Sequence, residues 1–165
     1  LFFITLRDFF IKKYKNISQN IAHFGFSLLI LSILFNNLFS TEIITNLKVG
    51  ETFENEKTKI IFESINQKKE KNYNAIIANF SVQNSSGEKD NLSPELRIYN
   101  QPIIATSEAD IKTTLMSDKF IVINLVQNQD YYNVRYQVKS FMLWIWLSVI
   151  LISFGGITSF LKNRS

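Results

Sequence analysis

Two stretches of this chain are apolar on every side, and between them the pattern shortens and alternates. Residues 21–39, "IAHFGFSLLILSILFNNLF", and 141–161, "FMLWIWLSVILISFGGITSFL", contain no Asp, Glu, Lys or Arg. About 20 apolar residues are enough to cross a hydrocarbon core of about 30 Å, so both predict transmembrane helices, placed at 20–40 and 141–161. From residue 41 to 140 the apolar runs are short: "TKIIFESI", "NAIIANFSV", "KFIVINLV" and "YYNVRYQV" are rich in Ile, Val, Phe and Tyr and read as strands. Gly50, "QKKEKN" at 67–72, "NSSGEKDN" at 84–91 and "NQDY" at 128–131 punctuate them as turns. One helix is predicted in this middle part, over "SEADIKTTLMSD" at 107–118, with Ser107 as cap and Ile111 and Leu115 on one face. The pattern thus gives a membrane protein of two transmembrane α-helices flanking a small, mostly antiparallel β domain.

Charge gives this arrangement a direction. Residues 42–140 hold 12 Lys or Arg against 13 Asp or Glu, whereas the flanks hold six basic residues and one acidic. Arg7, Lys12, Lys13 and Lys15 precede the first span, and Lys162 and Arg164 follow the second. Short cytoplasmic segments collect Lys and Arg, so residues 1–19 and 162–165 are expected in the cytoplasm and the β domain outside it. No basic stripe or aromatic stacking motif accompanies the charge, which argues against a nucleic-acid partner. The chain opens on Leu1 in another apolar stretch, "LFFITLRDFFI", and is expected to be the C-terminal part of a polytopic helical bundle.

Composition removes much chemistry. There is no cysteine and one histidine, so thiolate zinc sites, iron–sulfur clusters, thiol nucleophiles and multi-histidine metal cages cannot be built from this chain alone. Glu108 and Asp110 are two apart, which on a helix puts them about 200° around from one another, too far to cooperate as acid and base. Glu95 and Arg97 read as a structural ion pair, with a partner-docking edge as the alternative.

The one histidine, His23, lies inside the first span. With His23 at zero and about 100° per residue, Phe24, Leu28, Leu31 and Phe35 fall near 80° to 140° and make a stripe suited to lipid. Gly25, Ser32 and Asn36 fall near 180° to 220°, the small and polar composition of a helix–helix contact. Ser148, Gly155 and Ser159 form a similar stripe in the second span, and Trp144 and Trp146 suit an interfacial belt. An imidazole inside the membrane edge needs a partner, a cavity or a metal. Two readings follow: a neutral histidine hydrogen-bonded to another helix, or an axial ligand of a haem held between apolar helices.

"IAHFGFSLLIL", then a β domain, then "FMLWIWLSVILISFGG" resembles the C-terminal end of the CcmF family, the large membrane subunit of the bacterial cytochrome c maturation haem lyase. The resemblance runs over most of residues 20–161. It rests on Ala22-His23-Phe24-Gly25, Gly50, Asn72-Tyr73, "PELRIY" at 94–99, "SEADI" at 107–111, "SDKFIVI" at 117–123 and Trp144-Ile145-Trp146. Ser140, Ser148 and Leu96 stand where the family tends to have proline, glycine and lysine. The resemblance implies a bacterial inner-membrane protein with a periplasmic β domain. It also implies partnership with the haem chaperone CcmE, a CcmH-type subunit and apocytochrome c, besides membrane lipid. It makes His23 one axial ligand of a resident haem b, with the second histidine outside these residues, so that the 165 residues alone are not expected to hold haem. No tryptophan-rich haem-presenting loop of the family lies in this stretch, and no catalytic residue is assigned in it. The alternative is a two-span membrane protein whose extracytoplasmic β domain binds or senses a ligand, with no haem and His23 merely packed.

Overall fold

The computed structural model describes residues 2–11, 17–85, 87–126 and 129–162. Lys12, Lys13, Lys15 and Arg164 therefore lie outside the described residues. The chain divides into two units, one made of its two ends together with residues 114–118, the other of residues 41–113 and 119–138.

The first unit is helical. It contains α1 (Phe2–Ile11), α2 (Ile17–Phe39) and α3 (Met142–Lys162). Both α2 and α3 are long and apolar enough to cross a bilayer, with mean hydropathies of 1.7 and 1.9. Side chains hold α1 to α2: the hydroxyls of Thr5 and Ser27 are 2.6 Å apart, and the rings of Phe2 and Phe24 are 5.7 Å apart.

The second unit is all β. Its strands are β1 (Thr41–Leu47), β2 (Thr52–Glu54), β3 (Thr58–Lys69), β4 (Tyr73–Asn84), β5 (Lys89–Leu92), β6 (Glu95–Asn100), β7 (Ile103–Glu108), β8 (Asp110–Thr113), β9 (Ser117–Leu125) and β10 (Tyr132–Ser140). They form a four-stranded sheet of order β1-β10-β9-β8 and a larger one of order β2-β3-β4-β6-β7, with β5 added on β4. The β1–β10, β2–β3, β3–β4, β4–β5, β4–β6 and β6–β7 ladders are antiparallel. Alternation along the strands sets which side chains meet between the sheets. Ile60 and Phe62 of β3, Phe80 and Val82 of β4, Ile121 and Ile123 of β9, and Val134 and Tyr136 of β10 are all buried in one cluster. Phe62 and Phe80 face one another in register and stack at 4.4 Å. Register shifts between Phe62 and Ser64, a bulge that turns Ile65 back toward the core.

The four runs read as strands are strands, and the domain is an antiparallel sandwich of two sheets. The helix expected over 107–118 does not exist. Residues 103–108 are strand β7 on β6, Ala109 passes the chain to the other sheet, and 110–113 are β8. Ile111 and Leu115, the supposed apolar face, are both more than half exposed, and the Ser107 hydroxyl donates to Asn124 Oδ1 rather than capping a helix. A local 3.6-residue spacing with no core to bury against yields to a ladder in which β-branched Ile103, Ile104 and Thr106 find backbone partners.

Candidate functional site

The small residues of α2 and α3 form the contact between these helices. A Cβ at Gly155 would stand 2.7 Å from the Ala22 amide nitrogen and 2.8 Å from the Ser18 carbonyl oxygen. A Cβ at Gly25 would stand 3.0 Å from Leu151 and Ile152, and the Asn36 amide donates to the Ser140 carbonyl at 2.6 Å. The pair is therefore antiparallel, and only residues without a side chain allow such close backbones. Gly25, Ser32 and Asn36 lie on this contact as expected, and Ser148 and Gly155 are buried in it. Ser159 does not join them and is exposed.

His23 lies outside that contact, on an uncovered face of α2. Gln19, His23, Phe26, Ile30 and Ile33 follow one another at alternating steps of four and three, and all five are exposed. Phe26 is 53% exposed and Ile33 45%. The ring's nearest polar neighbour is one turn back, with Gln19 Nε2 3.3 Å from His23 Nε2. In the tautomer protonated on Nδ1, Nε2 accepts that bond with the lone pair a metal would otherwise take. The lipid stripe expected at Phe24, Leu28, Leu31 and Phe35 is overturned by α1 and α3. Phe24 packs on Phe2, Leu28 is 7% exposed, and Phe35 lies 5.1 Å from Phe141. The lone apolar period of one helix could not show which neighbours would cover it.

The sandwich contains a polar cluster that the sequence pattern did not bring out. Asp90 of β5 and Lys119 of β9 are both buried, and Lys119 Nζ donates at 2.8 Å to Asp90 Oδ2 and at 2.8 Å to Glu88 Oε2. Lys112 of β8 donates to the other Asp90 oxygen. The cluster joins the two sheets, and its charges act on the Tyr136 hydroxyl, which is buried with no hydrogen-bond partner among the described residues. Burial alone would raise the Asp90 carboxyl, but hydrogen bonds from Lys112 and Lys119 outweigh it and hold it below its ordinary value. Burial would lower Lys119, and the Asp90 and Glu88 carboxylates reverse this and raise it. Burial pushes the Tyr136 hydroxyl up to about 12. Parity was the signal that could have found the pair, since Lys119 shares a strand face with Ile121 and Ile123, and Asp90 with Leu92.

The other acids serve structure. Arg97 Nε donates to Glu95 at 2.8 Å, and its guanidinium lies 5.2 Å from the centre of the Tyr73 ring, so the ion-pair reading of these residues holds. Glu108 and Asp110 end one strand and begin the next in a different sheet, and Asp110 Oδ2 accepts from the Ser93 amide at 2.6 Å. Among the described residues no three His, Cys, Asp or Glu side chains gather as a metal-ligand set.

Residues 38–140 match the family model described as the CcmF C-terminal beta-sandwich, well over half of the chain. This chain belongs to the CcmF family. The cytochrome c-type biogenesis protein ccl1 of Rhodobacter capsulatus is 31% identical to it over 143 residues, which are 87% of this chain and 22% of that protein. The cytochrome c-type biogenesis protein CcmF of Pseudomonas aeruginosa is 24% identical over 146 residues, 88% of this chain and 22% of the relative. The solved structure of a cytochrome c heme lyase CcmF superimposes with a TM-score of 0.66 at 16% identity, over 94% of this chain and 27% of that one. At that identity the likeness is one of fold.

The chain thus spans about a fifth of the length of the curated CcmF relatives it matches. CcmF membership and two apolar helices of spanning length together make it a membrane protein. The family-model match begins at residue 38, so the sandwich carries it and His23 lies upstream of the residues that it covers. Some of the residues on which the sequence resemblance rested occupy positions with clear structural roles. Gly50 adopts φ 87°, a left-handed turn conformation that suits glycine, and Lys119 of "SDKFIVI" is buried.

Proposed function

We propose that this chain is part of a membrane haem lyase subunit acting in cytochrome c maturation, in which α2 supplies one axial ligand, His23, to a resident haem b. The subunit takes haem from the chaperone CcmE and, with a CcmH-type partner, attaches it to apocytochrome c in the bacterial inner membrane. The observation that carries the His23 assignment is its position. The sole imidazole of the chain points outward from a membrane-length helix on an otherwise uncovered face, above Phe26 and Ile30, where a flat apolar group has room. The face fits one side of a haem; the second histidine belongs to another segment, since this chain has none to offer. Haem bound there supplies one-electron transfer. The task of the chain itself is to hold Nε2 of His23 outward, which requires the Gln19 amide to swing aside, and its exposed side chain has space to do so.

Topology follows from charge on the antiparallel pair. The start of α2 and the end of α3 lie at the same end, and Arg7, Lys12, Lys13, Lys15, Lys162 and Arg164 are adjacent to it in sequence. That end is cytoplasmic and the β sandwich is periplasmic. Segments 20–40 and 141–161 are the spans, and 41–140 the periplasmic domain.

The test is the reduced-minus-oxidised absorption spectrum of the protein expressed with its complete reading frame, with and without His23→Ala. Loss of the b-type bands at unchanged protein level is the expected result. Unchanged bands would make His23 a packing residue and remove the ligand assignment.

A further inference from the structure

The turn between β8 and β9 does not belong to the sandwich. Residues 114–118, the turn and the first two residues of β9, belong to the helical unit, although β8 and the rest of β9 belong to the β unit. Two backbone carbonyls fasten the turn to the start of α3. The Trp144 indole Nε1 donates to Leu115 O at 3.0 Å, and the Phe141 amide donates to Met116 O at 2.7 Å. Phe141 holds a left-handed backbone, φ 61°, with its ring packed near Phe35 and Phe39. The turn closes on itself as well: the Thr114 amide donates to Ser117 O at 2.9 Å, and the Thr114 hydroxyl accepts from the Ser117 amide at 3.1 Å.

The side chains of the same two residues are left uncovered. Leu115 is 60% exposed and Met116 54%, although both are large and apolar. Thr114 to Ser117 carry no charge, and Lys112 and Asp118 bracket them. We infer that this turn is a lipid anchor, in which Leu115 and Met116 enter the outer edge of the bilayer beside the first turn of α3. This rests on the reading of α3 as a membrane span and is independent of any haem chemistry.

Three observations select lipid as the occupant. An indole tied by its N–H at the end of an apolar helix is the usual marker of the water–hydrocarbon boundary, which fixes the level of the turn. Both carbonyls at the exposed residues already have donors from within the unit, as apolar surroundings demand and water does not. The start of α3, to which the turn is fastened, also exposes apolar side chains, Leu143 and Trp146, within its first five residues. The flanking charges keep the insertion shallow.

The experiment is collision accessibility of nitroxide labels, in nanodiscs of phosphatidylethanolamine and phosphatidylglycerol. It uses the protein expressed with its complete reading frame in a cysteine-free background. Labels are placed through Leu115→Cys and Met116→Cys, with Ile150→Cys as the mid-helix reference and Lys71→Cys as the aqueous one. Labels at 115 and 116 are expected to shift from the nickel-chelate accessibility of site 71 to the oxygen accessibility of site 150. If 150 reads lipid while 115 and 116 meet the nickel chelate, the turn lies in water and the anchor is overturned. Shielding of 115 and 116 from both reagents means that protein covers them, which also overturns it. If 150 itself meets the chelate, the reading of α3 as a span fails, and the anchor with it.

Discussion

The two units of this chain are built on opposite principles. In the sandwich the apolar side chains face inward: Ile60, Phe62, Val82, Ile121, Ile123 and Val134 are all inaccessible, and the buried charges of Asp90 and Lys119 are paired. In the helical unit the buried positions are mostly small, Gly25, Ser27, Ser32, Ser148 and Gly155 with Leu28, while Phe26, Leu34, Trp146, Ile150 and Phe154 face outward. Water drives the first arrangement by excluding apolar area. No such force acts between helices in lipid, where close backbone packing and hydrogen bonds hold the pair. One chain therefore reverses its inside and outside within a few residues of Ser40 and Ser140. Its candidate ligand belongs to the unit whose outward face is apolar.

The largest effect is expected in the sandwich. Asp90→Ala takes the buried carboxylate from Lys119 and leaves it only the half-exposed Glu88. Losing one partner of a buried pair costs up to about 3–5 kcal/mol, so thermal unfolding followed by the β circular-dichroism signal is expected to move downward. Replacing the pair together, Asp90→Leu with Lys119→Met, is expected to cost much less, because no buried charge is then left uncompensated and the partners that remain, Lys112 and Glu88, are half exposed. Equal losses in the single and double variants would show that the cluster stabilises through more than its charge balance.

A smaller effect is expected at the helix contact. Gly155→Leu must push α2 and α3 apart, because even a Cβ meets the Ala22 and Ser18 backbone. Overpacking of this kind costs about 1–3 kcal/mol. Gly156→Leu is the control, since nothing lies within 4 Å of a Cβ there. Chemical unfolding in detergent should separate the two variants, and identical behaviour would mean that the α2–α3 contact contributes little.

The smallest effect is that of pH. The Asp90 carboxyl is held below its ordinary value of 3.8, so its contribution is present above that value and is lost only as pH falls through the lower folded one. Lys119 is raised above 10.5, so its contribution is complete below 10.5 and disappears as pH rises through the folded value. Tyr136, favoured neutral by burial, adds stability that is lost between 10.0 and about 12. The sandwich should therefore unfold at nearly constant temperature from about pH 5 to pH 9 and weaken on the alkaline side. A steep slope near neutrality would assign the titration to other groups.

Sequence and structure parted where burial depended on a distant neighbour. The strands at 58–65, 74–82, 119–126 and 131–138 were legible because each alternates in step with its own backbone. The segment 107–118 was misread because Ile111 and Leu115 have a helical spacing, but the fold gives it a sheet edge and then a turn fastened to Trp144. The lipid stripe of α2 was misplaced because Phe24 and Leu28 are apolar enough for lipid yet are covered within the helical unit. Asp90 and Lys119 escaped notice because they lie 29 residues apart and meet only when β5 and β9 come from different sheets.

The sequence by itself determined what each segment could be. Length and apolarity set the two membrane helices, period-2 alternation set the β domain, small residues marked the helix contact, and the absence of cysteine with a single histidine narrowed the chemistry to His23. Only the tertiary structure decided which faces are covered: that Phe24 turns inward, that His23 turns outward, that Lys119 has a carboxylate to meet, and that Leu115 and Met116 are presented beside α3. The physical reason is that propensity and periodicity are properties of neighbours along the chain. Burial and charge pairing belong to groups that the fold alone makes neighbours in space.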